Sequence, residues 1–314
     1  MSGGEVAGGG APGAPGAGSD ADMADARPSA AEARRSAVEQ VAGLFDYRAK
    51  VASAPGRLWV ERYAPHQELY AGLIVARNDA VAAAVSGGGT LLDVGCGMGD
   101  LLVRLADRYR VLEGIDPSPE MVEQCRQNLE IRRLVPRARV RQGVAEALEC
   151  EDASVDTVLM LDVYEHIRPE RRGAALAEVV RVLKPGGELC LVTPSRARLR
   201  LWNVFDNLLC APGRLRRGER ARLWPFAAKG HPEHFVSRRE LVRDLAAAGL
   251  DLVHFERVGF YPAPERPGFV EPWLRRLWRR PAGRRFARAL FAAAARVRLL
   301  NQKLLVRCER PAGS

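Results

Sequence analysis

No apolar run in this 314-residue chain approaches the roughly 20 residues that a membrane-spanning helix needs. The best stretch, Ala289–Ala295, is short and fenced by Arg288 and Arg296. The N-terminus lacks a basic start followed by an apolar core, so it does not read as a secretory leader. The six cysteines form no C-x-x-C pair, and Cys96 and Cys190 sit inside apolar runs. That pattern predicts reduced, mostly buried thiols in a cytosolic protein, not a disulfide framework. Large apolar side chains are nearly absent from Met1 to about Ala33, which are mostly Gly, Ala, Pro and Asp. Such a segment cannot offset its ordering entropy by burial, so residues 1–33 are predicted to be a disordered tail. No internal repeat is present.

What is there is a chain with 47% hydrophobic residues, enough for a substantial core. The net charge of +10 is localised. Residues 196–229 hold nine Lys/Arg against two acids, and residues 271–310 hold twelve against two. The remainder is therefore net acidic, which argues against a uniformly basic nucleic-acid binder. Residues 34–86 read as a helical cap, and Gly87-Gly88-Gly89 ends it. Residues 87–310 then alternate. Strands are predicted over 90–94, 110–116, 139–142, 155–162, 188–193, 250–258 and 303–307. Helices are predicted over 100–108, from Pro119 behind a Ser118 cap to about 133, over 169–183, and from a Ser237-x-x-Glu240 capping box to Gly249. Lys184-Pro185-Gly186-Gly187 stops the third of these. The alternation predicts an α/β fold with a doubly wound, mostly parallel sheet, interrupted by a basic insertion at 196–230 and followed by a basic helix at 271–300. In such sheets ligands bind beyond the carboxyl ends of the strands.

The most informative segment is Leu91–Leu102, LLDVGCGMGDLL. A strand runs into the turn Gly95-Cys96-Gly97-Met98-Gly99, and a helix follows. Glycine there permits positive φ and a close backbone approach to a ligand, and the next helix offers free N–H groups. Asp116 closes the second strand 21 positions after Gly95. An acid there is placed to accept hydrogen bonds from ribose hydroxyls.

With these motifs go G-I-D-P-S at 114–118, V-D-T-V-L-M-L-D-V-Y-E-H-I at 155–167 and V-L-K-P-G-G at 182–187. As a set they resemble the S-adenosylmethionine (SAM)-dependent methyltransferases of the Rossmann-like class, over about residues 85–260. The resemblance implies a seven-stranded sheet whose last strand is antiparallel. It implies that Gly95, Cys96, Gly97 and Gly99 lie under the methionine part of SAM and that Asp93 supports that loop. Asp116 and Pro117 would meet the ribose, Ala145 and Glu146 the adenine, and Leu161 the donor from the end of the fourth strand. Many relatives carry an acid at the position of Val144 for the adenine amino group, so that contact is lost here or passes to Glu146. Residues 229–237, KGHPEHFVS, resemble a segment of the quinone-biosynthesis O-methyltransferases. That narrower likeness puts Arg77 near the arginine that binds the SAM carboxylate. It also sets Asp162, Glu165 and His166 where such enzymes hold a divalent metal. Hard cations prefer oxygen ligands, and only two of these three are carboxylates, so no metal site is assigned.

The expected function is transfer of a methyl group from SAM to a small-molecule or lipid-like acceptor at a hydroxyl oxygen. The alternatives are N- or C-methylation of a natural product, and a non-catalytic SAM-binding protein. Histidines 166, 231 and 234 are the candidate bases. No Asn/Asp-Pro-Pro-Tyr/Phe follows the fourth strand and no Pro-Cys nucleophile is present, so a nucleic-acid base is not the expected substrate. The arginine-rich segments suggest peripheral contact of a cytoplasmic protein with an anionic membrane, or a lid, or a solvated helix face.

Overall fold

A computed structural model describes residues 68–197, 234–258 and 303–313, together with positions 282 and 285. The expected tail, most of the helical cap, nearly all of the basic insertion and the basic C-terminal helix lie outside the described residues.

The described chain starts with α1 (Glu68–Ala84). It continues through β1 (Gly88–Val94), α2 (Asp100–Arg104), β2 (Tyr109–Asp116), α3 (Pro119–Ile131) and β3 (Ala138–Gln142). Then come β4 (Val155–Leu161), α4 (Arg172–Val182), β5 (Leu183–Pro194), α5 (Arg238–Ala247), β6 (Asp251–Val258) and β7 (Lys303–Glu309). The strands form one seven-stranded sheet in the order β3-β2-β1-β4-β5-β7-β6. Strands β1 to β5 pair in parallel, and β7 runs antiparallel to both β5 and β6. The expected α/β sheet with an antiparallel last strand is thus present. The order reverses between β1 and β4, so the crevice beyond their carboxyl ends is where a ligand belongs.

Alternation along each strand builds a core on both faces. Leu92, Val94, Val158 and Met160 pack on one side with Leu176 and Val179 of α4 and Leu241 and Leu245 of α5. Leu91, Leu159 and Val192 pack on the other with Val81 of α1, Leu102 of α2 and Val122, Cys125 and Leu129 of α3. Each such fully buried side chain contributes about 1.5–3 kcal/mol. The helix starts follow the capping chemistry. Ser118 Oγ accepts from Met121 N at 3.3 Å with Pro119 at the first position, and Ser237 and Glu240 form a reciprocal capping box.

Three of the boundaries that differ from expectation have a visible cause. The helix from Asp100 is only five residues long and gives way at Leu105 to a 3-10 turn over Ala106–Arg108. Strand β5 begins at Leu183, not 188. Its Lys184–Gly187 stretch ends the helix but bulges within the strand, since Val155 faces Leu183 while Thr157 faces Glu188. The extra residues pair instead with the C-terminus, Gly186 N donating to Arg310 O and Arg310 N to Gly187 O, each at 2.9 Å. Strand β4 ends at Leu161 because Asp162 adopts a left-handed backbone, φ +55°.

Toward the amino ends of the strands, buried Glu188 ties four elements together. Its carboxylate accepts from Ser86 N at 2.7 Å, Thr157 Oγ1 at 3.1 Å and Arg307 Nη1 at 3.0 Å, and Tyr109 Oη donates to Thr157 at 3.0 Å. Removing one partner of such a buried set leaves the others uncompensated. Glu188→Ala is expected to lower the unfolding free energy by about 3 kcal/mol or more in urea titrations.

Candidate active site

The turn leaving β1 has no room for side chains. Gly95, Gly97 and Gly99 take φ values of 74°, 53° and 84°, which L side chains rarely adopt. Space forbids them as well. A Cβ at position 95 would collide with Val163 Cγ2, and one at position 99 would stand 2.7 Å from Cys125 Sγ. Gly95 N and Cys96 N both donate to Ile115 O, at 2.7 and 3.1 Å, folding the turn over the end of β2. Asn128 of α3 donates through Nδ2 to Met98 O at 2.9 Å. The five-residue α2 is too short to contribute much of a helix-end field, so the free N–H contribution expected from that helix is small.

Asp116 is buried beside this turn. Its Oδ2 accepts from Gly97 N and its Oδ1 from Ser118 N, each at 2.9 Å. Burial lifts its carboxyl to about 6, against the pull of those two amides. Pro117 follows it, its carbonyl accepting from Gln142 Nε2 at 2.9 Å. Asp93 beneath the turn is buried, and burial pushes it up to about 8 despite the nearby Arg77 guanidinium. The Cys96 thiol is held protonated by a hydrogen bond with Cys125 and by burial. Ala145 is buried and Glu146 half-buried in a tight turn bridged by Val144 and Ala147. Leu161 is buried at the end of β4.

A second group of charges stands at the carboxyl ends of β4 and β5. Arg77 Nη1 reaches Asp162 Oδ2 at 2.6 Å, and Lys303 Nζ pairs with the same oxygen. Burial would raise this acid, but Lys303 and Arg77 together hold it at about 2. Glu165 is buried, accepts from Thr193 Oγ1 at 3.0 Å, and is lifted to about 8 by burial and the Asp162 charge. His166 follows it directly, and His234 N donates to Glu165 O at 2.7 Å, so these two histidines flank Glu165. Arg172 clamps the His234 carbonyl and stacks 4.7 Å over the Tyr164 ring. His231 lies outside the described residues.

Comparisons with known proteins agree with this geometry. A family model described as a methyltransferase domain matches residues 91–187. An uncharacterized methyltransferase of Mycobacterium tuberculosis is 37% identical over 119 residues, covering 38% of this chain and 42% of that protein. Over residues 91–187 the chain is thus similar to methyltransferase domains. A demethylmenaquinone methyltransferase of Lactiplantibacillus plantarum is 29% identical over 189 residues, covering 58% of this chain and 78% of that protein. The match spans about two fifths of the length of the first curated relatives. Among solved structures, the [4+2]-cyclase SpnF superposes with a TM-score of 0.53 at 21% identity, covering 88% of this chain and 97% of that one. A geranyl diphosphate C-methyltransferase of Streptomyces coelicolor superposes with a TM-score of 0.50 at 17% identity, covering 76% and 80%. At these identities the likeness concerns the fold.

Among the described residues no group of three or more His, Cys, Asp or Glu is placed to hold a metal ion. Asp162 and Glu165 are engaged instead by Lys303, Arg77 and Thr193. Sequence reasoning missed three contributors to this site. Val163 and Asn128 carry no local signature of their role, though Val163 lies within the D-V-Y-E-H motif. Lys303 lies 141 positions from its partner Asp162, so no spacing rule could join them.

The buried acids make stability depend on pH. Folded Asp93 keeps its proton up to about 8, whereas the unfolded chain releases it near 3.8. Glu165 behaves alike, from 4.5 to about 8. Between those values the native state binds more protons than the unfolded one, so stability falls as pH rises. Chemical unfolding is expected to show a decline from pH 6 to pH 8, up to about 1.4 kcal/mol per unit per group. Asp93→Asn is expected to remove its share and leave the Glu165 part of the decline.

Proposed function

We propose that this chain transfers the methyl group of SAM to a small-molecule acceptor at a hydroxyl oxygen. The observation that carries the reading is the glycine-spaced turn Gly95–Gly99 beside the buried Asp116 carboxylate. Positions 95 and 99 accept only glycine, because Val163 and Cys125 fill the places where side chains would project and the backbone φ is positive. Asp116 spends one lone pair of each oxygen on an amide, leaving one on each for a ribose diol. Pro117, Ala145, Glu146 and Leu161 would complete the nucleoside side, and Arg77 the carboxylate. SAM, when bound, supplies a methyl already activated by a sulfonium.

The chain's own task is to orient the acceptor, exclude water and take a proton. Orientation can supply on the order of 7–11 kcal/mol of a barrier of this kind. Glu165 keeps its proton at neutral pH and is no base there. That leaves His166 and His234, each partly exposed on either side of it, to accept the hydroxyl proton. A base of this kind adds about 100- to 10,000-fold. An oxygen acceptor is favoured over carbon or nitrogen because two such bases stand at the carboxyl end of β4.

A lipid-like acceptor and peripheral membrane contact rest on the arginine density of segments 196–229 and 271–310. No helix among the described residues is long and apolar enough to cross a membrane. The full chain is expected to co-sediment with anionic phosphatidylserine vesicles and to detach as salt rises. Absence of binding at low salt would remove that part.

The activity itself is tested by incubating the full chain with methyl-labelled SAM and a metabolite extract. A labelled small molecule is expected. Label remaining wholly in SAM, with tight binding of the demethylated product, would point to a non-catalytic SAM-binding protein. His166→Ala is expected to slow turnover by about 100-fold while leaving affinity for S-adenosylhomocysteine unchanged.

A further inference from the structure

Away from the crevice over β1 and β4, the helices α4 and α5 enclose a groove of about 550 Å³, within the size range of small-molecule sites. Three arginines line it, Arg172, Arg196 and Arg243, against two acids, Glu240 and Asp244. Both acids are already engaged. Glu240 accepts from Arg196 Nη1 at 2.9 Å and from Ser237 N at 2.7 Å. Asp244 accepts from Tyr164 Oη at 3.0 Å and from Arg243 Nη2 at 3.1 Å. Arg172 is left over. It is 7% exposed, its Nη2 donates to the His234 carbonyl, and its guanidinium stacks over the Tyr164 ring. Among the described residues it has no carboxylate partner, and its Nε has no acceptor. A cation enclosed without a counter-charge is costly. Arg196 stands beside it, Nε donating at 2.8 Å to the Phe235 carbonyl, the next one along the chain.

We propose that this groove binds an aliphatic monocarboxylate, its head on Arg172 and its chain along α4. The lining sets the charge of the head. Three cations against two acids leave room for one negative charge. A doubly charged phosphate would be repelled by Asp244 and Glu240, whereas a single carboxylate gives Arg172 the counter-charge it lacks. The lining also sets the body. Beyond the arginines the walls are Leu176, Ala177 and Val180 of α4, with Ala247 and Ala248 at the end of α5 opposite them. From Arg172 to Val180 the helix rises about 12 Å, enough for a chain of several methylenes. The groove is distinct from the glycine turn and from the histidines beside Glu165, and the inference is independent of methyl transfer.

Calorimetry on the full chain compares octanoate with octan-1-ol, which keeps the chain without the charge, and with inorganic phosphate, which keeps charge without the chain. Octanoate is expected to bind, and each of the other two at least about ten-fold more weakly. Arg172→Met is expected to weaken octanoate by about ten-fold or more, the scale of one charge-assisted hydrogen bond. Ala177 is exposed on α4, so Ala177→Trp fills the groove from outside the core. It is expected to abolish octanoate binding and leave the thermal unfolding midpoint unchanged. Octanoate binding that survives Ala177→Trp lies elsewhere on the chain and would overturn the proposal. Equal binding of the alcohol or of phosphate, or no octanoate binding at millimolar concentration, would overturn it as well. If Arg172→Met does not fold, the Ala177 variant and the alcohol comparison decide.

Discussion

The turns after β1 and β4 share one volume. Val163 occupies the space that a side chain at position 95 would need, so neither turn can move without the other. Beside this interlock Asp162 leaves β4 with a left-handed backbone. Its cost is offset locally, by the 2.8 Å bond from Asp162 N to Val192 O and by the two cations on its carboxylate. The ends of β1 and β2, where the proposed donor would lie, and the ends of β4 and β5, where the proposed acceptor would lie, are thereby held at a fixed separation. A one-step displacement needs that condition, because nucleophile and leaving group must be aligned before reaction.

Environment, not residue type, divides the work among the four site acids. Asp93 and Glu165, with burial as the dominant influence, keep their protons at neutral pH. Asp116, equally enclosed, has two amides aimed at it and is held at about 6. Asp162 faces two cations and stays charged. Pushing similar groups apart in this way lets a small site hold neutral hydrogen-bonding acids beside permanent anions. It also limits repulsion, since four ionised carboxylates in one crevice would oppose each other and the fold.

The fold was legible in the sequence because its signals are local. Buried parallel strands read as short apolar runs, Ser118 and Ser237 mark helix starts, and the glycine turn with Asp116 spans only about two dozen residues. Boundaries were misread where long-range pairing overrides propensity. Lys184–Gly187 looks like a terminator, yet Arg310 supplies the hydrogen bonds that keep it in the sheet. The Asp100 helix looked two turns long, yet its second part tightens into a 3-10 turn before Tyr109. The Asp162 cluster was illegible for the same reason. It joins α1, β4 and β7, and nothing near Lys303 hints at a partner 141 positions away.

This division has a consequence for substrate choice. The proposed nucleoside cradle is written in one contiguous stretch, 91–146, where the glycines at 95 and 99 tolerate no side chain. The acceptor side draws on the β4 turn, Thr193 at the end of β5, the chain returning at His234 and the start of β7. None of these takes part in the Gly95–Val163 contact except the β4 turn. A fold of this design keeps one half constant by sterics and leaves the other to diverge, so the acceptor must be sought through the residues around Glu165 and not through the glycine turn.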